Sequence, residues 1–306
     1  MILALILVPL ASLLWGTTNY IDKYLISKIT KNGDYKGLIV FSSLIAGLIL
    51  LPISAVLTKL NINIDLVSFI YVFFSSTVYI ITSALYFKAL NRDDTSLVIA
   101  MFQLIPVFSY FLGLIFLTEI LSIKQIIGGL IVIISAILMT FEFGKMKFDK
   151  SKIITLSIMA LSSFLYAVYF LLFRFATLNH SFEKITFWYQ IGLFLNGLII
   201  FLLLKSYRHS FIDLIKSNGK KVFSYNILNE SLNLTANLLV NYAITFAPLA
   251  IVLTLNGLQP FFVFFIGIIL TLTIPKIIKE DIRKNTLLQK ALCIIGSIIG
   301  LAILYM

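Results

Sequence analysis

The stretch LVIAMFQLIPVFSYFLGLIF, residues 97–116, has a counterpart 154 positions later in IVLTLNGLQPFFVFFIGIIL, residues 251–270. Both stretches are strongly apolar, and each has a glycine seven residues after its proline. Extended back to residue 85, the alignment contains nine identities in 31 positions. These identities pair Leu85, Ala89, Val98, Leu104, Pro106, Phe108, Phe111, Gly113 and Ile115 with Leu239, Ala243, Val252, Leu258, Pro260, Phe262, Phe265, Gly267 and Ile269. The shared proline and glycine indicate an internal repeat.

The composition excludes a soluble fold. Of 306 residues, 60% are hydrophobic and 12% are charged, and the mean hydropathy is +1.04. One cysteine and two histidines cannot build a disulfide framework or a zinc or iron-sulfur centre. The sequence also lacks the glycine-rich phosphate loop of ATPases. We therefore expect a membrane protein without a cofactor, a metal site or a catalytic residue, and any transport must be driven by a gradient.

Ten apolar windows are long enough to cross a bilayer. They lie at residues 2–21, 37–57, 66–87, 95–117, 123–141, 153–174, 185–204, 222–246, 248–272 and 287–305. We predict an all-α membrane protein with ten transmembrane helices in two inverted five-helix repeats. The repeats occupy residues 1–144 and 153–306, with a cytoplasmic linker at 145–152. Because five is an odd number of crossings, the second repeat enters the membrane with the opposite orientation. Inverted repeats are typical of transporters whose halves rock around a binding site at the membrane midplane.

The basic residues lie mainly on one side of the predicted bundle. The loops after odd-numbered helices contain 20 of the 24 lysines and arginines, and the other side has only Lys59, Lys124, Arg174 and Lys184. The positive-inside rule then places both termini outside the cytoplasm. We expect a multi-pass protein of the cytoplasmic (inner) membrane. Its net charge of +11 is explained by orientation in lipid, so we expect no nucleic-acid partner.

Several short motifs resemble the EamA-type repeat of the drug/metabolite transporter superfamily. They are Trp15-Gly16 with Lys23, Ala89-Leu90, Leu104-Ile105-Pro106-Val107, and Glu119-Ile120-Leu121-Ser122 leading to Gln125 and Gly128. In the second half Pro260 and Gly267 match, and Glu280 is the nearest counterpart of the acidic residue expected after the ninth helix. The resemblance implies ten helices, two inverted repeats and export or exchange of small metabolites. Members of this family are commonly drawn with both termini in the cytoplasm, opposite to the charge count.

The predicted eighth helix carries a polar stripe. Its members recur at steps of three and four residues, and they are Asn226, Glu230, Asn233, Asn237 and Asn241. Amides and a carboxylate cannot face hydrocarbon, so this stripe must face protein or a water-filled cavity. The repeat relates three of its members, Glu230, Asn233 and Asn237, to Ser76, Tyr79 and Ser83 of the third helix. We predict that the two stripes line one cavity, with interhelical hydrogen bonding as the alternative for the individual residues.

Further candidates for substrate binding lie beside the two prolines and on the first and sixth helices. Gln103 precedes Pro106, and Asn256 and Gln259 precede Pro260. Because a proline removes a backbone donor and frees a carbonyl, we predict helix kinks at these two positions. The candidates on the first and sixth helices are Trp15, Asn19, Tyr166 and Tyr169. These side chains can stack on or hydrogen-bond to an organic substrate, or else pack in the core.

These features predict a secondary transporter that exports or exchanges small polar or amphipathic metabolites such as amino acids. Glu230, expected to be a lone acid among amides, is the candidate coupling residue. It either exchanges protons, binds a cationic part of the substrate, or is a hydrogen-bonded structural acid. Gly296 and Gly300 form a small-residue pair that serves close packing or a homodimer contact. The alternatives are a membrane-embedded enzyme acting on a lipid-linked substrate and a non-transporting membrane scaffold. The enzyme is disfavoured because the sequence has no cluster of histidine, aspartate or cysteine side chains for catalysis.

Overall fold

A computed structural model of the chain describes residues 2–30, 33–49, 51–59, 61–92, 98–99, 101–140, 150–273 and 284–305. All regular secondary structure in these residues is helical. Residues 145–149 of the predicted linker and Glu280 lie outside the described residues.

The described helices follow the predicted spans closely in most places. In the first half they are α1 (Ala4–Tyr24), continued by a π-helical turn (Leu25–Ile29), α2 (Lys36–Ile49), α3 (Leu51–Leu57), α4 (Leu66–Arg92), α5 (Leu104–Phe116) and α6 (Ile123–Thr140). In the second half they are α7 (Lys150–Ala176), α8 (Phe182–Leu203), α9 (Lys205–Ala243), α10 (Leu249–Leu255), α11 (Gln259–Thr273) and α12 (Lys284–Tyr305).

The chain is a multi-pass membrane protein. Six helical segments of the described residues are long and apolar enough to cross a bilayer: 4–29, 66–92, 152–176, 182–203, 249–273 and 286–304. Three shorter apolar helices lie at 36–45, 104–116 and 123–138. The predicted eighth span is not among them, because Glu230 and the asparagines of α9 lower its hydropathy. Large apolar side chains such as Phe74, Ile115 and Leu272 are exposed on the outer surface, as expected for contact with lipid.

Several predicted helix boundaries are wrong; α4, for example, ends at Arg92 and not at residue 87. The first helix was predicted to end at residue 21, but α1 continues to Tyr24 and includes Asp22. Residues 205–221 were predicted to be a basic loop, yet they form the N-terminal part of α9. No proline interrupts this segment, and Leu214 and Val222 are buried, so the helix continues from the polar surface into the bundle.

Both repeat prolines lie in the first turn of a helix. Phe102 and Gln103 form a turn before α5, and Asn256–Leu258 form a 3₁₀ turn between α10 and α11. Pro106 and Pro260 therefore lie just after an interruption of the α-helix. A proline costs little here because the first N–H groups of a helix have no intrahelical acceptor. The two breaks are separated by the same 154 residues as the sequence repeat.

The two halves of the chain interleave. Extensive packing joins α4 to α7 and α8, α1 to α9 and α11, α2 to α8 and α9, α5 to α7 and α10, and α6 to α12. Each of these pairs has one helix from each half. In chain order, α1, α2, α4, α5 and α6 correspond to α7, α8, α9, the pair α10 and α11, and α12. The packing pattern is unchanged when each helix is exchanged with its counterpart: the contact of α1 with α9 becomes that of α7 with α4, and the contact of α1 with α11 becomes that of α7 with α5.

Polar contacts between the halves join the chain segments at one end of the bundle. Lys184 Nζ donates to Asn61 Oδ1 at 3.0 Å, and Trp188 Nε1 donates to the Ile62 carbonyl at 2.7 Å. Asp65 Oδ2 lies 2.6 Å from His180 Nε2. Hydrogen bonds from Ser68 and from His180 hold the pKa of the Asp65 carboxyl below its usual range. Segments predicted to follow the second and sixth helices are thus on the same side.

Two further pairs of segments between helices are joined by described contacts. Glu119 Oε2 accepts the Leu249 N–H at 2.8 Å and so caps α10. Burial raises the pKa of the Glu119 carboxyl, while this hydrogen bond and the charge of Arg174 act against the rise. The Gly37 N–H donates to Ser210 Oγ at 2.8 Å, which joins segments predicted to follow the first and seventh helices. Each of these contacts links segments predicted for the same side of the membrane.

Gly296 and Gly300 pack within the chain. A Cβ atom at Gly300 would lie 2.9 Å from the Gly128 carbonyl oxygen, and one at Gly296 would lie 2.6 Å from Ser135 Oγ. At Gly128 a Cβ would be only 2.5 Å from the Leu304 nitrogen. Glycine lets α6 and α12 approach closely, so this small-residue pair is used between helices of one chain.

We predict that Gly128→Ala destabilises the protein because its methyl group meets the backbone of α12. Overpacking of this kind costs about 1–3 kcal/mol, which should lower the melting temperature of the detergent-solubilised protein. Gly219→Ala is the matched control: it also changes a helical glycine, but a Cβ there has nothing within 4 Å. Equal melting temperatures for the two variants would contradict the described α6–α12 packing.

Candidate functional site

A cavity lies between the two halves of the chain. It has about 1030 Å³ of space free of protein atoms, including its open side. Its wall is built by α1, α2, α4 and α5 from the first half and by α7, α8, α9, α10 and α11 from the second. Both helix breaks contribute, through Phe102 and Gln103 in one half and through Asn256 and Gly257 in the other. Neither half could form this cavity alone.

Most of the residues predicted for the site line this cavity. The structure brings together Trp15, Asn19, Tyr79, Ser83, Gln103, Tyr166, Glu230, Asn233, Asn256 and Gln259. They come from both polar stripes, both helix breaks, and the first and sixth predicted helices.

Three predicted residues lie behind the cavity wall. Ser76 is fully buried, accepts a hydrogen bond from Asn196 Nδ2 at 3.2 Å, and packs against Gly192 of α8. The hydroxyl of Tyr169 accepts a hydrogen bond from Asn241 Nδ2 at 2.7 Å. Asn237 Oδ1 accepts from the Tyr169 hydroxyl at 3.4 Å, and its Nδ2 donates to the Asn233 carbonyl of the same helix at 2.8 Å. In the structure these side chains join helices, which is the alternative that the sequence left open for them.

Asn233 is the centre of a hydrogen-bond network across the cavity wall. Its Oδ1 accepts from Trp15 Nε1 at 2.9 Å, and its Nδ2 donates to the Tyr79 hydroxyl at 2.8 Å. The Asn237 amide adds a further donor to the same oxygen at 3.1 Å. The network thus connects α9 to α1 and α4, and it fixes the orientation of the indole and the phenol.

Glu230 is 3% exposed and lies on the cavity side of α9. Ser42 of α2 donates its hydroxyl hydrogen to Glu230 Oε1 at 2.6 Å. Asn233 is a second hydrogen-bond partner of the carboxyl group. Hydrogen bonds from neutral donors do not balance a full negative charge in a low-dielectric interior, so the carboxyl group is stable when a proton or a cation accompanies it.

A second acid faces the same cavity. Asp22 of α1 is 7% exposed, and its Oδ1 accepts from Asn229 Nδ2 at 2.7 Å. The Tyr86 hydroxyl lies 3.2 Å from Asp22 Oδ2 and 3.0 Å from Asn19 Oδ1, and its single hydrogen serves one of the two. Asp22 and Glu230 are close enough to repel each other when both are charged. The expectation that Glu230 is a lone acid is therefore wrong.

Sequence reasoning missed Asp22, Asn229, Tyr86 and Ser42. Asp22 was assigned to a loop because the first apolar window ends at residue 21. A signal was nevertheless present: Trp15, Asn19 and Asp22 are spaced by four and three residues, which places them on one helical face. Asn229 precedes Glu230 directly and thus lies outside the strict stripe, yet it turns toward α1.

Aromatic rings form a continuous wall of the cavity. Tyr86 and Phe102 have ring centroids 5.5 Å apart, and Phe102 meets Tyr166 edge to face at 5.6 Å. Tyr166 then meets Tyr79 edge to face at 6.2 Å. These rings offer apolar faces and hydroxyl groups to a ligand.

The lining has acids and amides but no base. Among the described residues that line the cavity, none is a lysine, an arginine or a histidine. Across the described parts of the chain, no group of three or more histidine, cysteine or acidic side chains could hold a metal ion. The cavity therefore suits an uncharged or cationic organic molecule.

We predict that Asn233→Leu lowers the thermal stability of the substrate-free protein. The change leaves the Trp15 N–H without its acceptor and the Tyr79 hydroxyl with the longer hydrogen bond from Asn237 Nδ2 at 3.4 Å in place of the one from Asn233. An unsatisfied buried polar group costs about 1–3 kcal/mol. The control is Thr235→Val, two residues along α9, where the side chain is exposed and bonds only within the helix. A melting temperature of Asn233→Leu equal to that of the control would show that the network does not stabilise the fold.

Comparisons with known proteins agree with this architecture. Twenty-nine chains of solved structures match the fold. One of them, described only as the crystal structure of a protein, has a TM-score of 0.62 and 13% sequence identity, covering 97% of this chain and 95% of its own. This likeness shows the fold alone. No curated protein matches the chain. Residues 2–141 match the EamA-like transporter family. This match, over a little under half of the chain, agrees with the resemblance to the EamA-type repeat found in its sequence.

Proposed function

We propose that the protein is a secondary transporter that exports or exchanges a small polar or amphipathic metabolite. The observation that carries this proposal is the cavity between the two halves, which collects acids, amides and aromatic rings inside a membrane-spanning bundle. Polar groups in such a place are costly unless they serve a ligand, water or each other. The EamA-like family, which residues 2–141 match, is a family of transporters.

The arrangement of the two halves supports alternating access. The packing pattern is unchanged on exchange of the halves, and the contacts described above between helix-connecting segments join segments predicted for the same side. Both observations favour ten crossings in two inverted repeats. In such a fold the halves rock around a central site and open it to one side at a time.

The alternatives gain less support. A membrane-embedded enzyme acting on a lipid-linked substrate needs a nucleophile or a general base paired with an orienting group. Among the described residues, the cavity lining offers carboxylates, amides, aliphatic hydroxyls and phenols but no histidine or cysteine to act with them. A non-transporting scaffold gives no reason for placing two acids in a cavity between the halves.

We also propose that Glu230 couples transport to the proton gradient. It is hydrogen-bonded by neutral groups, the Ser42 hydroxyl and the Asn233 side chain, it faces the cavity, and a second carboxyl group lies nearby. A proton neutralises Glu230 when no cation is present. A change in its surroundings as the halves rock would then release the proton on one side and accept another on the opposite side.

The test is Glu230→Gln in reconstituted vesicles, because glutamine keeps the size and the hydrogen bonding but cannot titrate. We expect accumulation driven by a proton gradient to be lost, while counterflow exchange of a metabolite from a screened panel survives. Exchange requires the binding site but no net movement of protons.

The control for this variant is Glu183→Gln, which removes an acid in the first turn of α8, away from the cavity. It should leave both activities unchanged. Retention of gradient-driven accumulation in Glu230→Gln would exclude coupling through Glu230. Loss of both activities in a folded protein would assign Glu230 to substrate binding instead.

The orientation in the cytoplasmic membrane is a separate proposal from the charge distribution. We predict that a reporter fused after residue 306 reads as extracytoplasmic, and that one inserted near residue 218 reads as cytoplasmic. The reason is that 20 of 24 basic residues follow odd-numbered helices. A cytoplasmic signal from the C-terminal fusion would reverse the assignment and agree with the arrangement usually drawn for the family.

A further inference from the structure

Unpaired amide groups lie beside Asp22 on the cavity wall. Asn229 donates its Nδ2 to Asp22, yet its Oδ1 is buried and has no hydrogen-bond partner in the described part of the chain. Asn19 Nδ2, on the same face of α1, is likewise buried without a described partner. Both side chains line the cavity and are less than 5% exposed, Asn19 at 4% and Asn229 at 3%. Unsatisfied buried groups at a cavity wall point to a ligand that completes them.

The acceptors at this place match a primary ammonium group. An ammonium has three hydrogens and no acceptor. The carboxylate of Asp22 and the free Oδ1 of Asn229 supply acceptors on adjacent side chains. A cation also neutralises the carboxylate, which no described basic residue of the lining does.

The rest of the ligand should be apolar or aromatic. The ring wall begins at Tyr86, which contacts Asp22, and continues through Phe102 to Tyr166. A ring or a hydrocarbon portion attached to the amine would lie against these faces, and the ammonium would gain a cation–π interaction.

The lining disfavours the carboxylate of an amino acid. A zwitterion would bring a negative group into a cavity that already contains two acids. Burying an anion without a positive partner is expensive, and the free Asn19 amide is a neutral donor only. An amine should therefore bind more tightly than the amino acid with the same side chain.

We propose that the substrate of this transporter is a primary amine with one positive charge and an apolar or aromatic portion, and that its ammonium group binds to Asp22. This inference rests on the proposed transport function and narrows its substrate class. The positive charge at Asp22 also stabilises the ionised form of Glu230, so binding of the amine releases the proton of Glu230 to solvent. Substrate and proton then compete through two neighbouring acids.

The titratable groups facing the cavity are the two carboxyl groups and the phenols of Tyr79, Tyr86 and Tyr166. Phenols remain protonated at neutral pH. A proton released on binding near pH 7 must therefore come from the acid pair, which makes its release a specific readout.

The experiment measures binding of tyramine, L-tyrosine and 4-ethylphenol to the purified full-length protein by equilibrium dialysis, with proton release followed by an indicator dye in weak buffer. We expect tyramine to bind at least ten times more tightly than tyrosine and 4-ethylphenol. Tyramine should release up to one proton per molecule bound.

Variants separate the two acids. Asp22→Asn should weaken tyramine binding at least tenfold, whereas Glu230→Gln should lower the number of protons released per tyramine bound. Glu183→Gln should match the unmodified protein in both respects. Melting temperatures show which variants fold, and the preference for tyramine over tyrosine is measured without any variant.

Tighter binding of tyrosine than of tyramine, equal binding of 4-ethylphenol, or unchanged tyramine binding in folded Asp22→Asn would each overturn the proposal. Failure to bind tyramine would overturn it too. Counterflow with the metabolite panel decides the transport function separately: exchange of an amino acid would leave a transporter with another substrate class, and exchange of nothing would refute both.

Discussion

The cost of placing charge inside a hydrocarbon-facing bundle governs this structure. Asp22 and Glu230 are both buried, and each is held by neutral donors only among the hydrogen bonds that reach its carboxyl group. Such groups are tolerated where they share a cavity with amides, hydroxyls and an entering ligand or proton. The polar residues of α9 therefore turn inward, the exposed apolar side chains turn outward, and the helices of both halves surround the acids.

Interleaving of the halves follows from the same requirement. Each half has one acid near the cavity, on α1 and on α9, and neither half alone could cover its own polar face. Packing α1 against α9, and α4 against α7, closes both faces at once. The hydrogen bonds of Asn233 to Trp15 and Tyr79 then fix the registration of three helices around the cavity. A movement of one half against the other changes the surroundings of both acids together.

Much of this architecture could be predicted from periodicity and composition. The apolar windows, the polar stripe of the predicted eighth helix and the paired prolines were recognised from local spacing. The structure places most of the predicted polar site residues at one cavity. Asp22 could not be found from hydropathy, because a charged residue at the end of an apolar window looks like the start of a loop. Residues 205–221 were misassigned for a related reason, since basic side chains are equally compatible with a loop and with a solvated helix. Which polar residues of α9 line the cavity depends on how the packed helix is rotated about its axis, which the sequence does not specify. Asn237 bonds to the Asn233 carbonyl behind the cavity wall, whereas Asn229, outside the stripe, bonds to Asp22.

The uninterrupted course of α9 has a mechanical consequence. From Lys205 to Glu230 the helix spans 25 residues, or about 37 Å at 1.5 Å per residue, without a proline. It therefore acts as a stiff rod whose lysines lie between Lys205 and Lys221, with the acid nine residues further along. A tilt of about 10° around the acid would shift the basic end by about 6 Å for a rod of this length. Anionic headgroups that attract those lysines would thus exert torque on the cavity, and the lipid composition of the membrane would bias the balance between its two openings.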